Sequence, residues 1–352
     1  MNKIFFIIIS LFGLSNASFS LTFSNGSQVD DREIFNFTTY ETYDFSRFSS
    51  GKYLQDKVNG KGLLFLPDNI SENQKVPLVV ILHTAGGVAN NVEIAYARYF
   101  KDLGYASFVV DSFGSRNCDN SGSDIGVCTD RITLLDLTVD AYSALQELSM
   151  HPNIDPNNTS LIGFSYGGDA AMLALDADIK NEFVPTIKSF SSVISIYGGC
   201  YNKFNMNETI GSDFFYIVGT LDVSYNKDNC DNRFNELASL GINPELFLIE
   251  GAVHLYDANY PIFNVPTHEI PDLWGCEIEQ FKDGTIVENT TKTKINFDSE
   301  QNLKSKYKIW SNFWWDIKDC YGNKHLRMGS QPSKTKITKE YLEDILQKTF
   351  NR

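Results

Sequence analysis

Short apolar runs recur along the middle of the chain and alternate with amphipathic segments. Each run is continuous, which is typical of strands that are buried on both faces of a sheet. The predicted strands are 62–66, 78–82, 106–110, 160–164, 193–197, 214–218 and 246–249. The predicted helices between them are 92–103, 131–150, 168–177 and 232–240.

Strands that alternate with helices predict an α/β fold, with a mostly parallel central sheet and helices on both faces. The segment 131–150 agrees, because its apolar residues fall largely on one stripe and Asp130 is expected to cap its start. In such sheets, binding and catalytic groups lie outside the carboxyl ends of the strands. We therefore expect the catalytic residues to lie directly after the predicted strands.

The first residues differ from this regular middle. Lys3, the apolar run 4–14 and the small residues 15–17 predict an export signal that is cleaved after Ala17. The run is about half of the roughly 20 apolar residues that a bilayer span needs. We therefore expect a secreted or periplasmic protein that is not stably inserted in a membrane once residues 1–17 are removed.

The mature chain, 18–352, is expected to form a single domain, because no flexible linker marks a boundary. Its core is predicted at about 55–260, preceded by a strand or extended arm up to about residue 50. Beyond the core, 261–352 lack regular spacing and are interpreted as a C-terminal elaboration that ends in a helix near 338–350.

Net charge and cysteine content indicate which partners and which cellular compartment to expect. The formal net charge is −14 at pH 7 and the basic residues are dispersed, so we expect no nucleic-acid partner. The six cysteines form an even set, as expected in an oxidising compartment, although sequence alone leaves 15 pairings open. Because small loops close readily, pairing of nearest neighbours is favoured: Cys118 with Cys128, Cys200 with Cys230, and Cys276 with Cys320.

Metal chemistry is not expected. The chain has no Cys-x-x-Cys and no His-x-x-x-His spacing, so the sequence predicts no metal site.

The strongest chemical motif is Gly-Phe-Ser-Tyr-Gly at 163–167, centred on Ser165. It follows the predicted strand 160–164 and precedes a helix of small residues, which is the setting of a nucleophile elbow. There the chain turns sharply and exposes the serine hydroxyl. The alternative is a tight glycine turn with a structural serine.

A serine hydroxyl becomes nucleophilic when a base removes its proton, and histidine is the usual base. His254 is favoured because it follows the last predicted strand, 246–249. Asp222, directly after the strand 214–218, is the favoured carboxylate to orient that histidine. The rival carboxylates are Asp257 and Asp213. The order Ser, Asp, His along the chain is the one that follows a nucleophile elbow.

The oxyanion that forms during acyl transfer requires two hydrogen-bond donors. One is expected to be the backbone N–H of Tyr166, the residue after the nucleophile. The second is expected from the glycine-rich loop 83–87, with the Ala85 amide as the first choice. The alternative for this loop is a plain glycine turn.

Together these segments resemble the dienelactone hydrolase-like family of α/β hydrolases. The resemblance rests on 81–87, 103–106, 109–116, 163–168, 219–222 and 251–257, in consistent order. It implies an α/β-hydrolase fold, no cofactor, and a small-molecule ester as substrate. It also suggests that Arg116 contacts an acidic substrate group, the alternative being a surface salt bridge.

One residue departs from the resemblance. Dienelactone hydrolases proper use a cysteine nucleophile where this chain has Ser165, which favours ordinary carboxylic esters over dienelactone. Two other functions stay open: a secreted serine peptidase resembling the prolyl oligopeptidase group, and a non-catalytic binding protein on a hydrolase-like scaffold.

Overall fold

A computed structural model describes residues 32–88, 92–118, 126–265 and 270–351. The expected export signal and His268 lie outside the described residues. The strands are β1 (Glu33–Tyr40), β2 (Lys57–Phe65), β3 (Val76–Leu82), β4 (Ala106–Val110), β5 (Ile154–Phe164), β6 (Ser192–Ile196), β7 (Asn202–Phe204), β8 (Asp213–Gly219), β9 (Pro244–Ile249), β10 (Phe263–Val265), β11 (Ile278–Gln280), β12 (Thr285–Glu288), β13 (Thr293–Asn296) and β14 (Leu326–Met328).

The helices lie between these strands and at the end of the chain. They are α1 (Phe45–Ser49), α2 (Glu93–Asp102), α3 (Ser112–Ser115), α4 (Gly126–Arg131), α5 (Leu134–Leu148), α6 (Tyr166–Leu173), α7 (Ala177–Phe183), α8 (Lys227–Ser239), α9 (Leu303–Asp316) and α10 (Pro332–Phe350). No helix of the described ranges is both long enough and apolar enough to cross a bilayer.

The large sheet has the strand order β1-β2-β4-β3-β5-β6-β8-β9. From β4 to β9 all neighbouring strands are parallel, whereas β1 and β2 add an antiparallel edge. The predicted parallel sheet is thus confirmed, and every predicted strand is present. The extended arm is also a strand, so the large sheet begins at Glu33 and not near residue 55.

The burial of the strands explains why they could be predicted from continuous apolar runs in the sequence. β3, β4 and β6 are buried almost throughout, because helices cover both faces of the sheet. β9 lies at the sheet edge and is half-exposed along most of its length, so it is not buried on both faces.

Helix boundaries differ from expectation at several places. α8 begins at Lys227 rather than at 232, and α10 begins at Pro332 rather than near 338. Asp130 lies inside the short α4, so it does not cap the long helix. That helix starts later, where Thr133 and Asp136 form a reciprocal capping box at the start of α5. The predicted helix 168–177 is two helices, α6 and α7, because Asp176 caps a new start.

The C-terminal elaboration forms a second, smaller core. A small sheet orders β13-β12-β11-β7, so a strand from the core region pairs with strands of the elaboration. The buried side chains beside it come from both ends of the chain and include Tyr43, Ile278, Phe297 and Phe313. The elaboration is therefore packed onto the main body through shared strands and shared apolar contacts.

The cysteines are joined as nearest-neighbour pairs: Cys118–Cys128, Cys200–Cys230 and Cys276–Cys320. Cys276 and Cys320 approach the carboxylate of Glu288 closely enough to resemble a metal-ligand group. Their sulfurs are bonded to each other, so neither can act as a thiolate ligand.

Candidate active site

Ser165 occupies the turn between β5 and α6. Its backbone has φ 51° and ψ −113°, a conformation that costs a non-glycine residue on the order of 1–3 kcal/mol. Its N–H donates to Ile196 O at 2.9 Å, which fixes the strained turn against β6. The sequence motif and the backbone geometry together describe a nucleophile elbow.

Two glycines make this turn possible. A Cβ on Gly163 would lie 1.9 Å from Gly167 O, and a Cβ on Gly167 would lie 2.5 Å from Leu82 O. Both contacts are with backbone, which cannot move aside as the end of a side chain can. The crossing of β3, β5 and α6 therefore requires glycine at these positions.

Ser165, His254 and Asp222 form a hydrogen-bonded chain. Ser165 Oγ lies 3.0 Å from His254 Nε2, and His254 Nδ1 lies 2.8 Å from Asp222 Oδ2. His254 and Asp222 are buried, whereas Ser165 is partly exposed. These are the distances that transfer of a proton from serine to histidine requires.

Opposing effects set the charge state of His254. Burial lowers its pKa, but the negative charges of Asp222, Asp257 and Asp169 outweigh burial and leave the pKa raised overall. Asp222 contributes most among them, through both its charge and its hydrogen bond. The carboxylates around the imidazole thus stabilise its protonated form.

Asp257, one rival carboxylate, is engaged elsewhere. Both of its oxygens accept the Tyr197 hydroxyl, at 2.9 and 3.1 Å, and burial raises the pKa of its carboxyl to about 6. The Tyr197 ring packs edge-on against the His254 ring, with centroids 5.0 Å apart. Asp213 begins β8 whereas Asp222 follows its end, so Asp213 lies at the opposite edge of the sheet.

The loop 83–87 after β3 is fixed by hydrogen bonds. Gly87 N–H donates to Thr84 O at 3.0 Å, and the Thr84 N–H donates to the buried carboxylate of Glu93 at 2.9 Å. Ala85 is half-buried in this turn. Glu93 was not predicted as part of the site, since a glutamate that begins a helix is ordinarily exposed.

Tyr166 is the first residue of α6. Its backbone N–H belongs to the first helical turn, where amides have no partner within the helix. The side chain is held separately, because its hydroxyl donates to Ile132 O at 2.9 Å. The amide is thus next to Ser165 on a rigid element.

The other histidines are placed differently. His83 is fully buried and its Nδ1 pairs with Thr84 O at 2.7 Å. His151 precedes β5, at the end of the sheet opposite Ser165, and His325 is exposed in the elaboration. Of the described histidines, His254 alone contacts Ser165.

The prediction that Arg116 contacts an acidic substrate group is wrong. Its side chain is 4% exposed, and Nη1 and Nη2 donate to Asp140 at 2.7 and 3.1 Å. Nε donates to Glu41 at 3.1 Å, and Asp136 completes the surrounding negative charge at 3.8 Å. Nη1 and Nη2 also donate to the carbonyl oxygens of Ser112 and Tyr40, so the guanidinium is enclosed and cannot reach a substrate.

Asp169, one turn after Ser165 on α6, was not predicted. Its carboxylate accepts the Gly199 N–H, the Tyr201 hydroxyl and the Asn202 amide. Burial raises the pKa of this carboxyl to about 7. Asp169 therefore joins α6 to the segment that leads into β7 and the small sheet.

The sequence model of the dienelactone hydrolase family matches residues 61–283. The chain belongs to the dienelactone hydrolase family. Its mostly parallel sheet with flanking helices is the α/β-hydrolase fold expected for this family. A dienelactone is a cyclic ester, so membership of the dienelactone hydrolase family makes the chain a hydrolase of ester bonds. Residues 284–352 lie beyond the matched range.

Two solved structures are similar to this dienelactone hydrolase family member. A dienelactone hydrolase-like promiscuous phosphotriesterase from metagenomic libraries is 16% identical, with a TM-score of 0.48 over 83% of this chain and 100% of the other. A thermophilic esterase from the Planctomycetes species Thermogutta terrifontis, with propionate bound, is 15% identical, with a TM-score of 0.45 over 65% of this chain and 86% of the other. No curated protein matches the chain at a significant level.

Proposed function

We propose that this protein is a serine hydrolase that cleaves carboxylic esters through an acyl-enzyme. The proposal rests mainly on the hydrogen-bonded chain from Ser165 Oγ through His254 to Asp222, with distances of 3.0 and 2.8 Å. Membership of a family that hydrolyses ester bonds supports the same reaction class. The serine nucleophile favours ordinary esters over dienelactone.

Acylation begins when Ser165 Oγ attacks the ester carbonyl carbon and its proton passes to His254 Nε2. The tetrahedral intermediate collapses as the C–O bond to the alcohol breaks and His254 returns the proton to the departing oxygen. Asp222 holds the Nδ1–H tautomer of His254 and stabilises the imidazolium that forms. The products of this half-reaction are a free alcohol and an ester on Ser165.

Deacylation repeats these steps with water as the nucleophile. His254 Nε2 accepts a proton from water while the water oxygen attacks the acyl carbon of the Ser165 ester. Collapse of the second intermediate returns the proton to Ser165 Oγ and releases a carboxylic acid. The proposed net reaction is ester plus water to acid plus alcohol.

The oxyanion of both intermediates is proposed to accept the backbone N–H groups of Tyr166 and Ala85. Tyr166 is suited because it begins α6, whose amides and dipole favour negative charge at that end. Ala85 is suited because Glu93 and the Thr84–Gly87 contact hold the loop in one shape. Removing one such donor typically costs about 2.7–4 kcal/mol of transition-state stabilisation.

We also propose that the protein is exported and loses residues 1–17. The apolar run 4–14 after Lys3 supports a signal peptide. All six cysteines are joined in disulfides, and such bonds persist in oxidising compartments. N-terminal sequencing of the protein recovered outside the cytoplasm tests the cleavage after Ala17.

Hydrolysis of a short-chain p-nitrophenyl ester tests the reaction class, and a fluorophosphonate probe tests the nucleophile. Ser165→Ala should abolish both turnover and labelling, whereas Ser239→Ala, an exposed serine on α8, should change neither. Wild-type turnover in Ser165→Ala would contradict the assignment. A panel of peptides beside the esters separates an esterase from a peptidase, and unlabelled folded wild type would favour a binding protein.

A further inference from the structure

The loop 251–257 carries His254, and its first residues are bonded to the segment after β8. Gly251 N–H donates to Thr220 Oγ1 at 2.9 Å, and Leu221 N–H donates to Ala252 O at 3.0 Å. These contacts hold the start of the loop to the segment after β8. They do not reach the backbone of His254.

The backbone of His254 is held from the C-terminal elaboration. Its N–H donates to Arg327 O at 2.9 Å, and Gly329 N–H donates to His254 O at 3.2 Å. Further along, the Thr335 hydroxyl donates to Tyr256 O at 3.2 Å. We call residues 327–338 the C-terminal clamp. The clamp lies beyond the residues that match the family model.

Gln331 contacts the His254 loop through both its side chain and its backbone. Its side-chain Oε1 accepts the Val253 N–H at 2.9 Å, and its Nε2 donates to Gly251 O at 2.9 Å. Its own N–H donates to Tyr256 O at 2.6 Å. One side chain therefore bridges the loop before His254, and the same residue's backbone holds the loop after it.

Gln331 is also the N-cap of α10, yet its side chain makes no hydrogen bond to that helix. Glutamine is not among the residues favoured at this position, which are Ser, Thr, Asp and Asn. The helix start is thus left without a side-chain cap while the amide group bonds the His254 loop. Helix stability alone does not account for a glutamine here.

The loop is strained where the clamp holds it. Leu255, directly after His254, has φ 48°, a left-handed conformation that a branched side chain rarely adopts. Such a conformation persists only when surrounding contacts over-determine it. Hydrogen bonds of the clamp flank Leu255 on both sides, at His254 and at Tyr256. These hydrogen bonds therefore hold the strained backbone directly beside the imidazole of His254.

We propose that Gln331 is a positioning residue of the hydrolase, which holds the His254 loop in register with Ser165 and Asp222. This inference rests on the proposed function, since His254 is taken there to be the base. It assigns the role to a residue that contacts neither substrate nor nucleophile. Displacement of a reacting group by about 1 Å can cost about 100-fold in rate.

The charge state of His254 provides a readout of its position. Burial and the carboxylates of Asp222, Asp257 and Asp169 act on its ring, which also packs against Tyr197. Together these effects raise the pKa of His254. If the imidazole is displaced, so that it loses both its burial and its contact with Asp222, its pKa should fall toward the ordinary value for histidine. A residue that only stabilises the fold would not move this pKa.

The deciding variant is Gln331→Asn. Asparagine keeps the amide but is one methylene shorter, so it cannot bridge Gly251 and Val253, while it is a favoured N-cap for α10. The expected result is a folded protein with an unlowered melting temperature, kcat reduced about 10- to 100-fold, and KM within about threefold of wild type. An NMR titration should show a lower pKa for His254.

Two further variants complete the design. Gln347→Asn makes the same change on α10 at an exposed residue whose side-chain amide donates to Glu343, and it should match wild type. Gln331→Glu keeps an acceptor for Val253 N–H but presents an oxygen to Gly251 O, so it should lower kcat as well. If Gln331→Asn does not fold, the same measurements are made on Gln331→Glu.

Unchanged kcat and unchanged His254 pKa in both Gln331 variants would overturn the inference. Loss of activity that only parallels loss of folded protein would also overturn it, because the role would then be structural. The NMR titration needs no substrate, so it keeps the inference testable by itself. A wild type that hydrolyses no ester and takes no fluorophosphonate label would instead contradict the proposed function.

Discussion

Oδ2 of Asp222 lies 2.8 Å from Nδ1 of His254, and both side chains are buried. In the proposed mechanism this contact fixes the imidazole tautomer. Asp222→Asn presents an amide in place of the carboxylate and should lower kcat by about 10⁴-fold with little change in fold. Steady-state kinetics beside circular dichroism measures this. A variant with kcat near wild type would return Asp257 to consideration as the carboxylate.

The pH dependence of turnover follows from the same contact. His254 must be neutral to accept a proton, and its pKa is raised by the carboxylates around it, Asp222 foremost among them. Activity should therefore fall as the pH decreases through a pKa above about 6.5, the ordinary value for histidine. Asp222→Ala should move the acid limb of kcat/KM to lower pH. An unmoved limb in that variant would mean that another group controls it.

The burial of Arg116 predicts a loss of stability upon its substitution. Arg116→Gln would leave the buried carboxylates of Asp136 and Asp140 without their cation, at a cost of about 3–5 kcal/mol. Urea unfolding measures this change. KM of the folded fraction should match that of wild type, because the side chain is enclosed. A raised KM with unchanged stability would restore Arg116 as a substrate contact.

Stability should decrease as the pH rises from about 5 to 8. Burial raises the carboxyl pKa to about 7 in Glu41, about 7 in Asp169 and about 6 in Asp257, against roughly 4 in the unfolded chain. Between these values the folded state binds more protons than the unfolded state, so raising the pH favours unfolding. The raised pKa of His254 acts in the same direction.

Urea midpoints at pH 5, 6, 7 and 8 test this slope. Asp169→Asn is the matched variant, because its amide oxygen can still accept the Gly199 N–H but cannot ionise. It should flatten the pH dependence. Greater stability of the wild type at pH 8 than at pH 5, or an unchanged slope in Asp169→Asn, would contradict the role of these carboxyls.

The geometry of the elbow leads us to expect that alanine substitution has very different effects on turnover at two glycines. Gly163→Ala places a Cβ 1.9 Å from Gly167 O, so the turn must move and turnover should be lost. Gly104→Ala is the control: its φ is 89°, but nothing lies within 4 Å of the new Cβ. Its strain should cost about 1 kcal/mol and leave kcat unchanged. Thermal unfolding and ester turnover compare the pair.

The sequence predicted the large sheet well, because strands buried on both faces must be continuous apolar runs. The nearest-neighbour disulfides also agree with the structure. The small sheet was not predicted, since its strands have three or four residues and mix polar with apolar side chains. Short polar strands carry too little periodicity to distinguish them from loops.

Arg116 shows that a residue's position after a predicted strand does not by itself identify a substrate contact. It follows a predicted strand, near the edge where sites form, but its partners lie elsewhere in the chain: Glu41 follows β1, and Asp136 and Asp140 lie on α5. Gln331 was missed for the same reason, because it belongs to an irregular tail and acts on a loop distant in sequence. Contacts between remote segments have no periodic pattern that one sequence can reveal.

The origin of the hydrogen bonds to His254 also has a consequence for biosynthesis. The elbow at Ser165 and the strand before Asp222 are synthesised before residues 327–338. The backbone of His254 is bonded by Arg327 and Gly329, which follow it in the chain and leave the ribosome after it. In a nascent chain the proposed nucleophile would thus be in place before the proposed base is fixed, and reactivity would arise only after residues 327–338 have docked.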